Sequence, residues 1–257
     1  MSEVNIMRLN AFAYRERVAD GKTVLLVPVG SVEQHGPHMP LGVDTYLSTL
    51  VAELVAKEVG ALVGPTITMG YKSQQRSGGG NHIIGSFGFD AALVIETTRT
   101  LVNELFRHGV REIAFVNGHY ENYQFVYEGV DLALRDITRS GVTPPKVVIL
   151  SYWDFVSPET IERLYPDGFP GWDVEHGGVM ETSLMLLHLP DLVDMEAVMD
   201  LPPAEIPPYD VLPAIAERTP ASGCLSSAAA ASAEKGQVLT ESIVHGMVDV
   251  LNAEFPH

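Results

Sequence analysis

Two short stretches carry most of the chemical potential of this chain, Glu33-Gln34-His35 and His119-Tyr120-Glu121. Each sets a carboxylate and an imidazole two residues apart, and each closely follows a β-branched apolar run, Val24–Val29 in one case and Ile113–Val116 in the other. In extended backbone an i, i+2 pair projects to one side, so each stretch can act as a two-pronged ligand. If the two runs are neighbouring strands, four ligands meet at one sheet edge, and Asp44, nine residues after His35, adds a fifth. Imidazoles and carboxylates without thiolates favour zinc or manganese over copper(I) or iron–sulfur. Five ligands exceed the needs of one tetrahedral zinc and a carboxylate can bridge, so the set reads as a two-metal centre with a shared hydroxide as nucleophile. Asp44 also has a plainer reading, as the cap of the helical pattern that follows it.

The elements that must position these residues are legible as well. Apolar runs near residues 23–29, 61–64, 112–117 and 146–151 are rich in Val, Ile and Leu rather than alternating, as in a parallel sheet covered on both faces. Helical patterns lie between them: Leu47, Leu50, Val51, Leu54 and Val55 up to Gly60; Leu101, Val102, Leu105 and Phe106 up to His108-Gly109; Val126, Val130, Ala133, Leu134 and Ile137 up to Gly141. The order β-α-β-α-β-α-β predicts a three-layer α/β/α sandwich with a mostly parallel central sheet and right-handed crossovers. Residues 177–189 read as a helix that Pro190 ends, 202–223 with six prolines as an extended surface segment, and Ile243–Leu251 as part of a last amphipathic helix. The 257 residues are read as one domain, 1–257, since too few residues follow the Pro-rich segment to build a second.

In such a sheet, ligands bind beyond the carboxyl ends of the strands, where both paired motifs fall. Ser77-Gly78-Gly79-Gly80-Asn81-His82 reads as a turn that permits close backbone approach, and it lacks the spacing of a nucleotide-binding loop. Trp172 to Gly178 leads into a helix carrying Glu181; His176 there is placed to relay a proton, with Glu181 to orient it. Trp153 and Trp172, each beside an aspartate, read as pocket walls. His108 at a helix end reads as a dipole contact, while His188, His245 and His257 are given no chemical role.

Composition excludes several classes. Sixteen basic against 33 acidic side chains give a net charge of −17, which repels nucleic acid and anionic membranes. No apolar stretch reaches the ~20 residues that span a bilayer. The polar segment Met1 to Asp20 lacks the features of a secretory signal, so a cytoplasmic location is expected. Cys224 is the single cysteine, which rules out an internal disulfide and a thiolate cluster.

The run Gly30-Ser31-Val32-Glu33-Gln34-His35-Gly36-Pro37-His38, with Val43-Asp44, Asn117-Gly118-His119, Glu175-His176-Gly177-Gly178 and Glu181-Thr182-Ser183, resembles the creatininase family of metal-dependent amidohydrolases. The branch acting on creatinine is indicated by Tyr71 to Gln75, Ser77 to His82, His119 to Asn122 and Ser151 to Phe155; Gly85 to Phe89 departs from the Pro-Gly-Thr-like stretch the resemblance leads one to expect. The resemblance implies Glu33, His35, Asp44, His119 and Glu121 as ligands of two divalent ions, Zn2+ or Mn2+, with Asp44 bridging. It implies Ser77, Tyr120, Trp153, Trp172 and Asp173 as substrate contacts, His176 as proton shuttle, and a homohexamer. Glu121 is counted with His176 among the catalytic residues, and Glu181 with Asp173 as a partner for substrate N–H groups. The reaction implied is creatinine plus water to creatine, reversibly: metal-bound hydroxide attacks the ring carbonyl and His176 protonates the departing nitrogen. A family member acting on another small amide, a formamide or a short peptide is the alternative, and a non-catalytic metal-binding relic a more distant one. Since Tyr120 would point away from His119 and Glu121 in a strand, the second motif is expected on a turn just past it.

Overall fold

The four apolar runs form β1 (Leu25–Val29), β2 (Leu62–Val63), β3 (Glu112–Asn117) and β4 (Lys146–Ser151). All pair in parallel, in the order β2-β1-β3-β4. The structure, a computed structural model, describes residues 3–256; Met1 and Ser2 of the N-terminal segment and His257 lie outside the described residues. The helices are α1 (Ala11–Val18), α2 (Val43–Val59), α3 (Gln75–Gly78), α4 (Ala91–Arg107), α5 (Tyr123–Arg139), α6 (Pro158–Leu164), α7 (Val179–His188) and α8 (Ala233–Glu254). The expected stops operate: Gly60 takes a left-handed φ of 71° and its N–H closes on the Ala56 carbonyl, and His108 caps α4.

The sheet alternates its side chains between two apolar layers. Leu26, Ala114 and Val116 pack with Leu47 and Val51 of α2, Leu184 of α7 and Leu239 and Ile243 of α8. Leu25, Val27, Ile113 and Phe115 pack on the other face with Val94 and Val102 of α4 and Val126 and Val130 of α5. The result is the expected α/β/α sandwich, and the last helix shares a core with the first half of the chain. The Pro-rich segment holds one helical turn, Ala216–Arg218; Gln75 Nε2 pins it by donating to Ile215 O (2.7 Å) and Thr219 Oγ1 (3.0 Å). Among the described residues no helix is long and apolar enough to cross a membrane.

Two glycines let the sheet edge meet the start of α2. A Cβ at Gly30 would lie 2.5 Å from Thr45 N and Cα, and one at Gly118 would lie 2.7 Å from Asp44 O. Backbone cannot retreat as a side-chain tip can, so Gly118→Ala is expected to destabilise the fold by about 1–3 kcal/mol and to displace Asp44, read as a lower denaturation midpoint together with weaker metal retention.

Candidate metal centre

Because β1 and β3 are neighbours in register from Leu25↔Ile113 to Val29↔Asn117, the segments after them leave the sheet at one edge. Glu33 and His35 sit in the irregular segment after β1. After β3, Gly118 N continues the ladder to Val29 O at 2.8 Å, and His119 then enters a single 3-10 turn, Tyr120–Asn122. That turn meets the expectation for the second motif: His119 and Glu121 are buried, while Tyr120 is 61% exposed. Asp44 arrives on the first turn of α2. Its plainer role as a cap is not seen: the N-cap is Gly42, with no side-chain cap bond.

These side chains converge. Asp44 Oδ1 lies 3.0 Å from His35 Nε2, and Asp44 Oδ2 lies 3.1 Å from His119 Nδ1. Glu33 Oε1 lies 3.1 Å from His119 Nδ1, and Glu181 Oε1 3.5 Å from His35 Nε2. Among the described residues three groupings have ligand atoms close enough to share an ion: Glu33–Asp44–His119, His35–Asp44–Glu181 and Glu33–His35–His176. The carboxylates of Asp44 and Glu33 each belong to two of them, and of the two it is Asp44 that approaches both His35 and His119, the position a bridging carboxylate must hold. Glu181, expected at the substrate, is therefore placed within reach of a metal, which sequence spacing gave no means of seeing. Glu121 joins none of the three: its Oε1 accepts from Gln74 N and Ser77 Oγ, both at 2.6 Å, and its Oε2 is 3.2 Å from His119 Nε2.

The donor set fits divalent cations. Glu33 Oε2, His35 Nε2 and Asp44 Oδ2 are buried with no hydrogen-bond partner, an arrangement that costs free energy unless something else satisfies them. His35 Nε2 is close to Asp44 Oδ1 yet out of hydrogen-bond alignment, as expected of lone pairs aimed at a shared point. Each imidazole is oriented from behind: His35 Nδ1 faces Glu33 O at 3.2 Å and His119 Nε2 faces Tyr71 O at 2.9 Å. Donating these hydrogens to backbone carbonyls leaves His35 Nε2 and His119 Nδ1 as the bare nitrogens. Gly78 lies against the cluster, where a Cβ would come within 3.0 Å of Glu33 Oε2, so the Ser77–His82 turn does approach by its backbone.

Electrostatics follow from this packing. Burial opposes the charged form of both histidines, but Asp44 and Glu181 hold the pKa of His35 well above its ordinary value, and Glu33 and Glu121 do the same for His119. Burial likewise opposes ionised Asp44 and Glu33, and the imidazoles overcome it and lower both. Glu121 goes the other way, raised by burial and by Glu33 against the pull of His119.

Above the cluster a cavity of about 80 Å³ opens, lined by Ser77, Tyr120, Glu121, Trp153, Trp172, Asp173, His176 and Glu181 among others. Every residue expected to touch substrate is thus on one wall or another. The volume is far below the roughly 300–1,000 Å³ of drug-sized sites, so the ligand is small. Tyr120 and Trp153 stand 6.4 Å apart with planes 26° from parallel. His176 Nδ1 is 3.7 Å from Glu33 Oε1, and its Nε2 is 2.9 Å from Gln34 O. Glu181 and His176 share no hydrogen bond or ion pair; Glu181 Oε2 accepts from the next residue, Gly177 N, at 2.7 Å. None of Gly85–Phe89 lines the cavity; Phe87 instead bridges to Val32, beside Glu33. Of the histidines left without a role, His188 pairs with Thr240 and His245 with Asp249.

Glu175 is a pocket residue that sequence reasoning quoted in a motif but gave no task. Its Oε1 accepts from Met180 N at 2.5 Å, while Glu181 reaches back to Gly177, so the two carboxylates cross over the start of α7. Burial, with Glu181 nearby, pushes its carboxyl up to about 7. The unfolded chain loses this proton near the ordinary 4.5 and the folded chain keeps it to about 7, so the group's contribution to stability falls as pH rises through that window. Glu175→Gln, which stays neutral, is expected to raise the melting temperature by a few degrees at pH 8 and to change little at pH 4.5, in paired thermal scans.

Comparison with known proteins agrees with this geometry. The family model described as "Creatininase: Creatinine amidohydrolase" matches residues 7–251. A creatinine amidohydrolase of Pseudomonas putida is 54% identical over 244 residues, which cover 95% of this chain and 94% of that protein. A solved structure of a manganese creatininase is 52% identical and superposes with a TM-score of 0.98 over 100% of both chains. A mutant creatininase complexed with creatine is 52% identical, with a TM-score of 0.97 and the same coverage. On the family model, the whole-length identity and the shared fold, this chain belongs to the creatininase family.

Proposed function

We propose that the chain is a creatinine amidohydrolase, opening the ring of creatinine to creatine and closing it again. The observation that carries the reading is the pair of carboxylate–imidazole groupings sharing Asp44 beneath a small cavity rimmed by Tyr120, Trp153 and Trp172. Two divalent ions, zinc or manganese, belong to the centre. Glu33, Asp44 and His119 would hold one, and His35, Asp44 and Glu181 the other, with Glu121 beside His119. Bound there, the ions supply Lewis acidity and lower the pKa of a water.

The remaining work falls to this chain's side chains. Creatinine is a flat cyclic amide with a guanidine-like face, suited to lie against Tyr120, Trp153 and Trp172. Asp173 offers an acceptor to its N–H groups, and Ser77, whose Oγ donates to Glu121 at 2.6 Å, a hydroxyl oxygen. In ring opening water adds at the ring carbonyl, the C–N bond breaks and the departing nitrogen takes a proton. His176 Nδ1, at the cavity beside Glu33, carries that proton; in ring closure it takes the proton back. Residues 1–257 act as one domain in this reading. The resemblance adds a cytoplasmic homohexamer.

The test is creatinine hydrolysis by metal-free protein reloaded with Mn2+ or Zn2+, alongside metal analysis. Turnover that returns with metal supports the assignment. Full metal occupancy with no turnover of creatinine or creatine ends it.

A further inference from the structure

We propose that Gln34 is a positioning residue for the reaction, its side-chain amide fixing the tautomer and the place of His176. The inference rests on the reading of His176 as the proton carrier. Gln34 is 5% exposed and stands between two candidate ligands, yet it belongs to none of the metal groupings. Its amide nitrogen donates to Gly223 O at 2.8 Å and to Gly78 O at 3.2 Å, and its Oε1 accepts from Gly36 N at 3.1 Å. The amide orientation is assigned by this network: turned over, its oxygen would face two carbonyls and its NH2 the N–H of Gly36.

The consequence reaches His176. Its Nε2 lies 3.1 Å from the Gln34 amide nitrogen and 2.9 Å from the Gln34 backbone oxygen. An amide nitrogen has two hydrogens, and both are directed to carbonyls. None remains for the imidazole to accept, so His176 Nε2 must itself be the donor, to Gln34 O. Neutral His176 is therefore protonated at Nε2, and Nδ1, the nitrogen beside Glu33, holds the free lone pair. The opposite tautomer would present an N–H to the cavity and could not take up a proton there.

The slot around the amide is built to its shape. Gly223 has φ 83° and Gly79 φ 79°, and a Cβ on them would lie 2.0 Å from Gln34 Oε1 and 3.0 Å from Gln34 Nε2. Through Gly78, the residue after Ser77, and Gly223 in the Pro-rich segment, one side chain ties together the loop after β1, the substrate turn and the strap over it. Ser73 Oγ also donates to Gly78 O, so removing the amide leaves Gly223 O as the group without its donor and His176 without its constraint.

The experiment is a double-mutant cycle on the zinc-loaded full chain, with kcat, KM, metal content and melting temperature read for the parent, Q34A, H176A and Q34A/H176A. Q34A is expected to lose about tenfold or more in kcat, with KM within about threefold and both metals retained. In the H176A background the same change is expected to cost less than about twofold, because the residue through which it acts is gone. Q34M keeps the length and supplies no donor, so it should fall with Q34A; if Q34A does not fold, Q34M and Q34M/H176A give the same cycle. Parent-like kcat in Q34A, or an equal loss in both backgrounds, overturns the inference while leaving the creatininase reading intact. Parent-like turnover in H176A alone overturns the proton role of His176 and this inference with it.

Discussion

Replacing His176 with alanine is expected to leave two metals and creatinine binding in place while turnover falls by roughly 10² or more. The reasoning is geometric. His176 shares a grouping only with Glu33 and His35, each of which belongs to another grouping that does not need it. Its Nδ1 sits 3.7 Å from Glu33 Oε1, longer than the 3.0–3.1 Å approaches among His35, Asp44, His119 and Glu33. A proton carrier should lower kcat without raising KM, since its contribution is made as the ring nitrogen departs. A ligand should behave otherwise, and loss of one metal per chain in this variant would reassign His176 from proton carrier to ligand.

Asp44→Asn is expected to have the larger effect, on metal and on rate together. Asp44 is the one carboxylate placed between both imidazoles, at 3.0 Å and 3.1 Å. The amide keeps the volume but removes the charge and one acceptor, and points N–H groups where a cation would sit. Metal content should drop below one ion per chain and turnover by roughly 10³-fold or more, more than the 10–100-fold typical of residues that only support a ligand. Atomic absorption on dialysed protein and a creatinine assay with added Mn2+ read the two effects. Retention of two ions with only a modest rate loss would remove Asp44 from the bridging position.

How much of this was legible in the chain depends on range. The strands were readable because a parallel sheet covered on both faces needs continuous apolar runs, and Val24–Val29 and Ile113–Val116 are such runs. The turn at Tyr120–Asn122 followed from a local contradiction, since Tyr120 could not be both in a strand and at the pocket. Glu181 was legible as a pocket residue but not as a neighbour of His35, because that contact needs α7 laid against the loop after β1, a matter of packing between residues far apart in sequence. Glu175 and Gln34 were invisible for a related reason. A carboxyl or amide takes its task from backbone groups around it, here Met180 N, Gly78 O and Gly223 O, and backbone groups leave no signature in residue types. Of the stretch Ser77–His82, read as a turn, Asn81 and His82 are in a turn, while Ser77 and Gly78 end the single α-helical turn Gln75–Gly78.

The five expected ligands are 0–8% exposed, while Tyr120 and Trp172 above them are 61% and 41% exposed. That contrast separates two clocks. Substrate enters the cavity past the exposed rings of Tyr120 and Trp172 and can come and go on the timescale of side-chain and loop motion. An ion seated below, among Glu33, Asp44 and His119, which line the same cavity, leaves by that route as well, but only after its bonds to the buried ligands break. Inactivation by excess chelator should therefore be slower than exchange of creatinine, and bound creatinine, which fills the shared cavity, should slow it further.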